Sequence, residues 1–358
     1  MADFKVILLE LLSNIARKLK YEPAETTVKV ISSEGANYTS ELFEATISAV
    51  GKDDLNVFAK VASMSKEIRA MKTGNVYAAE IYVYAELLKK FKDLEARYNV
   101  PEQHRLNTPT FYGANDEYMK ETLVLENLTL KGYETYDRFK AINCEYASEC
   151  IKQLAIFQAL SIALFKYDPK KFERTKTMLS SVYNFKDLAG MIKGILDNAL
   201  KIVKPENKAR LAAFTQARVD LNDFEEFLKP VKRLVLVHGD YKVSPVDYQA
   251  ARHGNPITDL LFFIFSGSDK KFRARHFKSS IELYYEELCN GLQRLGVDPN
   301  ELLPYGLIVG VFILPVVTVE PEKAPKPQKL SDVNIEPNTL YKERLNDIVE
   351  DFIEMGVI

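Results

Sequence analysis

Between residues 26 and 61 short β-branched and apolar runs alternate with the polar turns Ser-Ser-Glu-Gly-Ala-Asn and Gly-Lys-Asp-Asp. That punctuation predicts a small antiparallel sheet joined by tight turns. From about 65 to 93 the period lengthens to helical spacing, with Val76, Ala79, Tyr82, Val83 and Leu87 on one face. Thr122 to Glu126 then reads as a further strand. After residue 130 amphipathic helical windows dominate, near 146–166, 186–203 and 208–228. Residues 234–237, Leu-Val-Leu-Val, are expected to form a short, fully buried strand. Tyr305 to Val319 is the longest uncharged apolar run and contains Pro315. It falls short of the roughly 20 residues that span a bilayer and is expected to be a buried helix. Glu320 to Asn338, with four prolines among charges, reads as a loop, and Tyr341 to Met355 returns to helical spacing. At the amino end, Met1 to Leu12 reads as an amphipathic helix, because charges interrupt the apolar stretch that a secretory signal would keep continuous. No internal repeat is visible. The expected fold is α+β and two-lobed, with a small antiparallel-sheet lobe over residues 1–128 and a larger, mainly helical lobe over 129–358.

Composition narrows the function. At 358 residues and 47% hydrophobic content the chain can bury a sizeable core in about two domains or lobes. A net charge of −2, from 48 basic and 50 acidic residues, argues against a surface built to neutralise a phosphate backbone, so nucleic acid is not an expected partner. Nor is a membrane. Cys144, Cys150 and Cys289 make no paired framework and no Cys-x-x-Cys motif; they are expected to be free core thiols of a cytoplasmic protein. Four scattered histidines give no zinc spacing. The oligomeric state is left open.

The candidate chemistry begins where the 234–237 strand ends. His238-Gly239-Asp240 follows it directly, and Asp247 comes seven positions after Asp240 in Val-Asp-Tyr-Gln. Two carboxylates at the carboxyl end of an apolar strand are what phosphoryl transfer uses, one accepting a hydroxyl proton and the other holding Mg²⁺. Upstream, Gly35-Ala36-Asn37-Tyr38-Thr39-Ser40 is a small-residue turn between two candidate strands, able to bring backbone N–H groups against phosphate oxygens. Lys60 lies in the next strand. On composition alone Lys60 would be a solvated strand residue and Glu80 an exposed helix acid.

The sequential order of these motifs resembles the small-molecule kinases of the protein-kinase-like fold, in particular the ecdysteroid-kinase-like family. The run from Asp247 through Arg252, Gly254 and Pro256 to Asp259-Leu260 is similar to that family's Arg-x-Gly-x-Pro-x-x-Asp-Leu sequence, and Tyr77-Ala-Ala-Glu80-Ile81-Tyr-Val-Tyr84 to its aromatic-x-x-Glu-Ile-x-x-Tyr helix. The resemblance extends over about residues 30 to 355. It implies ATP and Mg²⁺ as cofactors and a hydroxylated small molecule, of ecdysteroid-like or other lipophilic type, as phosphate acceptor. It also implies roles. Asp240 would be the base and His238 would orient its loop, with Asp247 as metal ligand. Lys60 would contact the α- and β-phosphates and pair with Glu80. Gly35, Asn37, Tyr38 and Ser40 would belong to a flap over the nucleotide, and backbone groups of Glu126, Asn127 and Leu128 would meet the adenine edge. Gln158, on an apolar helix, is expected to be a core residue.

One departure stands out. Kinases of this fold place about twenty residues, including an Asn ligand and a strand hairpin, between the two acids. Here the gap is seven, and the Asn position falls on Ser244 or Pro245. Seven steps of about 3.5 Å span at most roughly 25 Å, enough to connect the acids but not to build the hairpin as well. Flanking motifs persist, which points to a discrete deletion rather than gradual decay. Two readings follow: a tight turn that still converges Asp240 and Asp247, or a catalytically inactive protein that retains ATP or a small molecule. A choline-type kinase is a third reading, weakened because a cation cage would have to be built without tryptophan.

Overall fold

The computed structural model describes residues 4–31, 39–66, 69, 76–134, 136–137, 139–179, 189–218, 235–242, 247–299 and 338–354. The chain forms two compact units, residues 1–291 and 292–358. The first carries every element of the candidate site. In the second, a helix runs from Thr339 to Glu354, where helical spacing was expected. Gly35, Asn37 and Tyr38, the apolar run 305–319, and Ser244 with Pro245 lie outside the described residues.

Five antiparallel strands open the first unit: β1 (Ala24–Ile31), β2 (Ser40–Ala49), β3 (Leu55–Ala62), β4 (Phe111–Asn115) and β5 (Thr122–Glu126), in the order β1-β2-β3-β5-β4. A strand's period of two divides their side chains between the faces. Phe43, Ala45 and Ile47 of β2, Val57, Ala59 and Val61 of β3, and Val124 of β5 share one face, and helix α1 (Phe4–Lys18) covers it with Ile7, Leu8, Leu12 and Ile15. At roughly 1.5–3 kcal/mol for each fully buried large aliphatic side chain, this layer fixes the register of the whole sheet. Gly113 of β4 lets α1 approach, since a Cβ there would sit 3.1 Å from Ile15 Cδ1. The same alternation sends Lys60 to the opposite face, beside its cross-strand partner Leu123.

Against that second face lies a long helical segment. Its first part, α2 (Val76–Tyr82), passes through a π-helical turn at Val83–Leu87 into α3 (Leu88–Arg97). Val76, Ala79, Tyr82, Val83 and Leu87 are buried as their spacing predicts, and Glu80 is buried among them at 2% exposure, not solvated as an isolated helix acid would be.

The helical part of the unit is centred on α4 (Cys144–Tyr167), whose Asn143 side chain caps it by accepting the Tyr146 N–H at 2.8 Å. By length and composition α4 could cross a membrane, yet 72% of its apolar window is buried inside the unit, as in a core helix. Gln158 is fully buried there: it donates to the Pro256 carbonyl at 3.1 Å and accepts from Tyr284 Oη. Helices α5 (Pro169–Met178), α6 (Ala189–Ile202) and α7 (Pro205–Arg218) follow; the expected window 208–228 is a helix as far as its described residues extend. Beyond them a two-stranded ladder pairs β6 (Val235–Val237) with β7 (Arg252–Gly254), and α8 (Ile257–Gly267) and α9 (Lys270–Arg294) come next. The Leu236 N–H donates to Ser161 Oγ at 2.7 Å, tying β6 to α4. The cysteines depart from expectation: only Cys150 is buried, Cys289 is half-buried, and Cys144 is exposed at the first turn of α4, where helix geometry leaves one side open to water.

Candidate active site

The β6–β7 ladder closes a loop, and both acids are in it. His238 and Asp240 leave the carboxyl end of β6, while Asp247 precedes a short 3₁₀ turn, Tyr248–Ala250, that leads into β7. Gly239 makes the exit from β6 possible. Its φ of +82° lies in the left-handed region, and any Cβ would collide with the Ala250 carbonyl oxygen and the Arg252 guanidinium. Asp259, buried in the first turn of α8, clamps the same turn: its two oxygens accept the N–H groups of His238 at 2.7 Å and Gly239 at 2.9 Å. Burial pushes the Asp259 carboxyl up to about 6, with those two N–H groups pulling the other way.

Tyr248 anchors the second acid. Its ring packs edge-on against Tyr84 of the π-helical turn at 5.5 Å, stacks on Phe157 of α4 at 5.8 Å and meets the His238 ring at 4.8 Å. One aromatic column therefore joins the sheet-side helix, the core helix and the loop. The His238 ring also accepts the Asp240 N–H through Nδ1, at a long 3.4 Å.

Lys60 and Glu80 meet where β3 faces α2, with Nζ 2.7 Å from Glu80 Oε1. The same ammonium lies 3.2 Å from Asp247 Oδ2. Burial works against the charged form of Lys60, but the carboxylates of Glu80 and Asp247 outweigh it and hold its pKa above the ordinary value. Burial pushes the Glu80 carboxyl up to about 7 despite Lys60, and the neighbouring Asp247 carboxylate adds to the rise. Asp247 behaves oppositely: burial opposes its charge, yet Lys60 and the Gln249 N–H, donating to Oδ1 at 3.2 Å, hold it below the usual carboxylate range. A small recess of about 10 Å³, open to solvent, adjoins this cluster and is lined by Ser40, Lys60, Tyr77, Glu80, Glu121 and Leu123, among others. Beside it Arg69 grips Glu121 bidentately, at 2.6 and 3.0 Å, under the ring of Tyr77.

Asp240 lies apart from that cluster's hydrogen bonds. Its carboxylate is 37% exposed and 2.9 Å from Lys242 Nζ. At the other end of the sheet, the N–H groups of Glu126 and Asn127 are taken by the carbonyls of Thr110 and Asn56, at 2.8 and 3.3 Å. The Glu126 side chain binds Thr110 and Lys131, and Asn127 caps the turn Leu128–Lys131 through Thr129. The Leu128 N–H opens that turn, in the position whose donor has no partner within the turn.

The structure thus joins Lys60, Glu80 and Asp247, and joins His238 to Asp240. Gln249, Tyr248, Asp259 and Gly239 are participants to which the sequence reading gave no role, although Gly239 and Asp259 stand in its motifs. Tyr248 and Gln249 directly follow Asp247, and that adjacency was the available signal.

A strand lysine held by a helix glutamate, a carboxylate brought beside it, and a second acid at a strand exit define a kinase-like class of site. The sequence pattern of the ecdysteroid kinase-like family matches residues 34–245 and 242–297. The chain belongs to that family. The two matched segments meet at 242–245, where the interval between the acids is short. No curated protein matches the chain.

As to Mg²⁺, among the described residues no three His, Cys, Asp or Glu side chains cluster closely enough to hold an ion by themselves. Asp247, 40% exposed at its side chain, fits the single-carboxylate role in which octahedral Mg²⁺ keeps waters and phosphate oxygens as its other ligands.

Proposed function

We propose that the protein is an ATP- and Mg²⁺-dependent kinase that phosphorylates a hydroxyl of a lipophilic small molecule, of ecdysteroid-like or similar type, in the cytoplasm. The observation that carries this reading is the 3.2 Å approach of Asp247 to Lys60. The short interval between the acids leaves Asp247, in this reading the metal-binding acid, in contact with Lys60, the phosphate-binding lysine, which supports a working site over a ruined one. In this reading Lys60, fixed by Glu80, binds the α- and β-phosphates. Asp247 holds Mg²⁺, which would neutralise charge on the phosphate oxygens. The Leu128 N–H and neighbouring carbonyls take the adenine edge. Asp240 accepts the proton of the acceptor hydroxyl as its oxygen bonds to the γ-phosphorus and the bond to the ADP oxygen breaks. His238 keeps that acid oriented through the Asp240 N–H.

A second reading, nucleotide or ligand binding without turnover, is favoured by the pairing of Asp240 with Lys242 and by the short interval between the acids. Calorimetry of ATP with and without Mg²⁺, beside a transfer screen over hydroxylated steroids and xenobiotics, separates the two. Mg²⁺-dependent binding with transfer supports the kinase. Binding without transfer to any acceptor supports the second reading, and absence of binding overturns both.

A further inference from the structure

Gln249 touches three parts of the site that are far apart in sequence. Its Nε2 donates to Glu80 Oε2 at 3.2 Å, its Oε1 accepts from Thr39 Oγ1 at 3.0 Å, and its backbone N–H donates to Asp247 Oδ1 at 3.2 Å. Thr39 directly precedes β2, and its carbonyl oxygen accepts from Tyr77 Oη of α2 and from the Ser63 N–H that follows β3. With Lys60 bridging Glu80 and Asp247, these contacts form a closed ring through β2, β3, α2 and the acid segment.

We infer that Gln249 is a positioning residue: its carboxamide latches the Asp247 segment to Glu80 and to Thr39 at the start of β2, setting Asp247 in the phosphate site without the hairpin that would otherwise brace it. The inference rests on the kinase reading for its consequence, though the latch itself is a property of the unliganded protein. The physical reason lies in donor and acceptor placement. A carboxamide presents a donor on one side and an acceptor on the other, and here the donor meets a carboxylate and the acceptor a hydroxyl. Glu80 then has both oxygens occupied, one by Lys60 and one by Gln249. Neither glutamate nor alanine at this position reproduces the arrangement: Gln249→Glu keeps the acceptor for Thr39 but removes the donor that faces Glu80, and Gln249→Ala removes both.

The test compares wild type with Gln249→Ala and Gln249→Glu in two measurements. In the unliganded proteins, hydrogen exchange is followed in peptides covering 39–49 and 247–254. The latch expects Gln249→Ala to accelerate exchange in both together, and acceleration in 247–254 alone would overturn it. In the second measurement, Mg²⁺-dependent ATP affinity is set beside the urea midpoint of the unliganded protein. Gln249→Ala and Gln249→Glu should each bind about tenfold more weakly while the midpoint stays near wild type. A purely structural role would lower affinity only in step with the midpoint, and that result would overturn the positioning role. If wild type binds no Mg²⁺·ATP, the kinase reading fails, and the exchange measurement alone decides the latch.

Discussion

Lys60 is 11% exposed at its side chain and touches two carboxylates, whereas Asp240 is 37% exposed and touches one lysine that is itself half in solvent. The first charge is held by side chains from separate elements, inside a low-dielectric layer where each partner is costly to lose. The second is held mainly through its backbone, by the left-handed Gly239, the Asp259 clamp and the His238 ring. A buried, mutually neutralised cluster suits a group that must stay charged and fixed while phosphates arrive. A half-exposed carboxylate on a rigid turn suits a group that must reach a variable acceptor and take its proton. Loss of a side chain should therefore damage folding at the first end and turnover at the second.

The largest contrast is expected from Asp240→Asn. A positioned general base is worth roughly 10²–10⁴-fold, so transfer to an acceptor should fall by about that factor while the urea midpoint and ATP affinity stay near wild type. Unchanged transfer would remove Asp240 from the role of base. Glu80→Ala should lower stability together with ATP affinity. It leaves the Lys60 ammonium buried with only the partly exposed Asp247, and breaking a buried pair costs about 3–5 kcal/mol, measurable as a lowered urea midpoint. A midpoint within error of wild type would show that the cluster contributes little to folding.

Gly239→Ala crosses the comparison, because it alters no charge at either end. The left-handed backbone costs a side chain about 1–2 kcal/mol, and the collision with the Ala250 carbonyl adds to that, since backbone cannot step aside cheaply. Both stability and transfer should drop, with stability falling by about 2 kcal/mol. A variant that lost transfer but kept full stability would mean that the turn serves chemistry alone.

These contrasts were unevenly legible in the sequence. The sheet, the Glu80 helix and the strand before His238 follow from the alternation of strands and the three-to-four spacing of helices, which any window of the chain displays. The Lys60–Glu80 pair was reachable because each residue sits in a family-like motif. The Gln249 bond to Glu80 was not, since no local pattern links residues 169 positions apart. Asp259 was visible as a member of the family-like run, but only the fold shows it turned back onto the His238 and Gly239 amides. The shortened interval left two outcomes open because chain length bounds a reach without choosing a direction. The β6–β7 ladder and the Tyr248 packing hold Asp247 beside Lys60, and both depend on contacts with α4 and the π-helical turn.

The smallest expected effect is on the pH dependence of stability, and it sharpens the account of the buried end. Glu80 at about 7 and Asp259 at about 6 are raised above their ordinary values of 4.5 and 3.8. The folded protein therefore binds protons more tightly than the unfolded chain at these two sites. Where that holds, stability falls as pH rises, so the contribution is complete below the ordinary carboxyl values and is lost as pH climbs through about 6 to 7. Asp247, lowered by Lys60, acts in the opposite sense and only in acid, where its protonation removes stability. The Lys60 charge already acts within the Glu80 value. The wild-type urea midpoint should accordingly decline between about pH 5 and 7.5, and Glu80→Gln, which cannot ionise, should flatten most of that decline. An equal slope in the two proteins would place the titration elsewhere and mean that Glu80 stays ionised across the range. The buried end would then be a permanently charged ion pair, with Lys60 as firmly compensated before the nucleotide arrives as after.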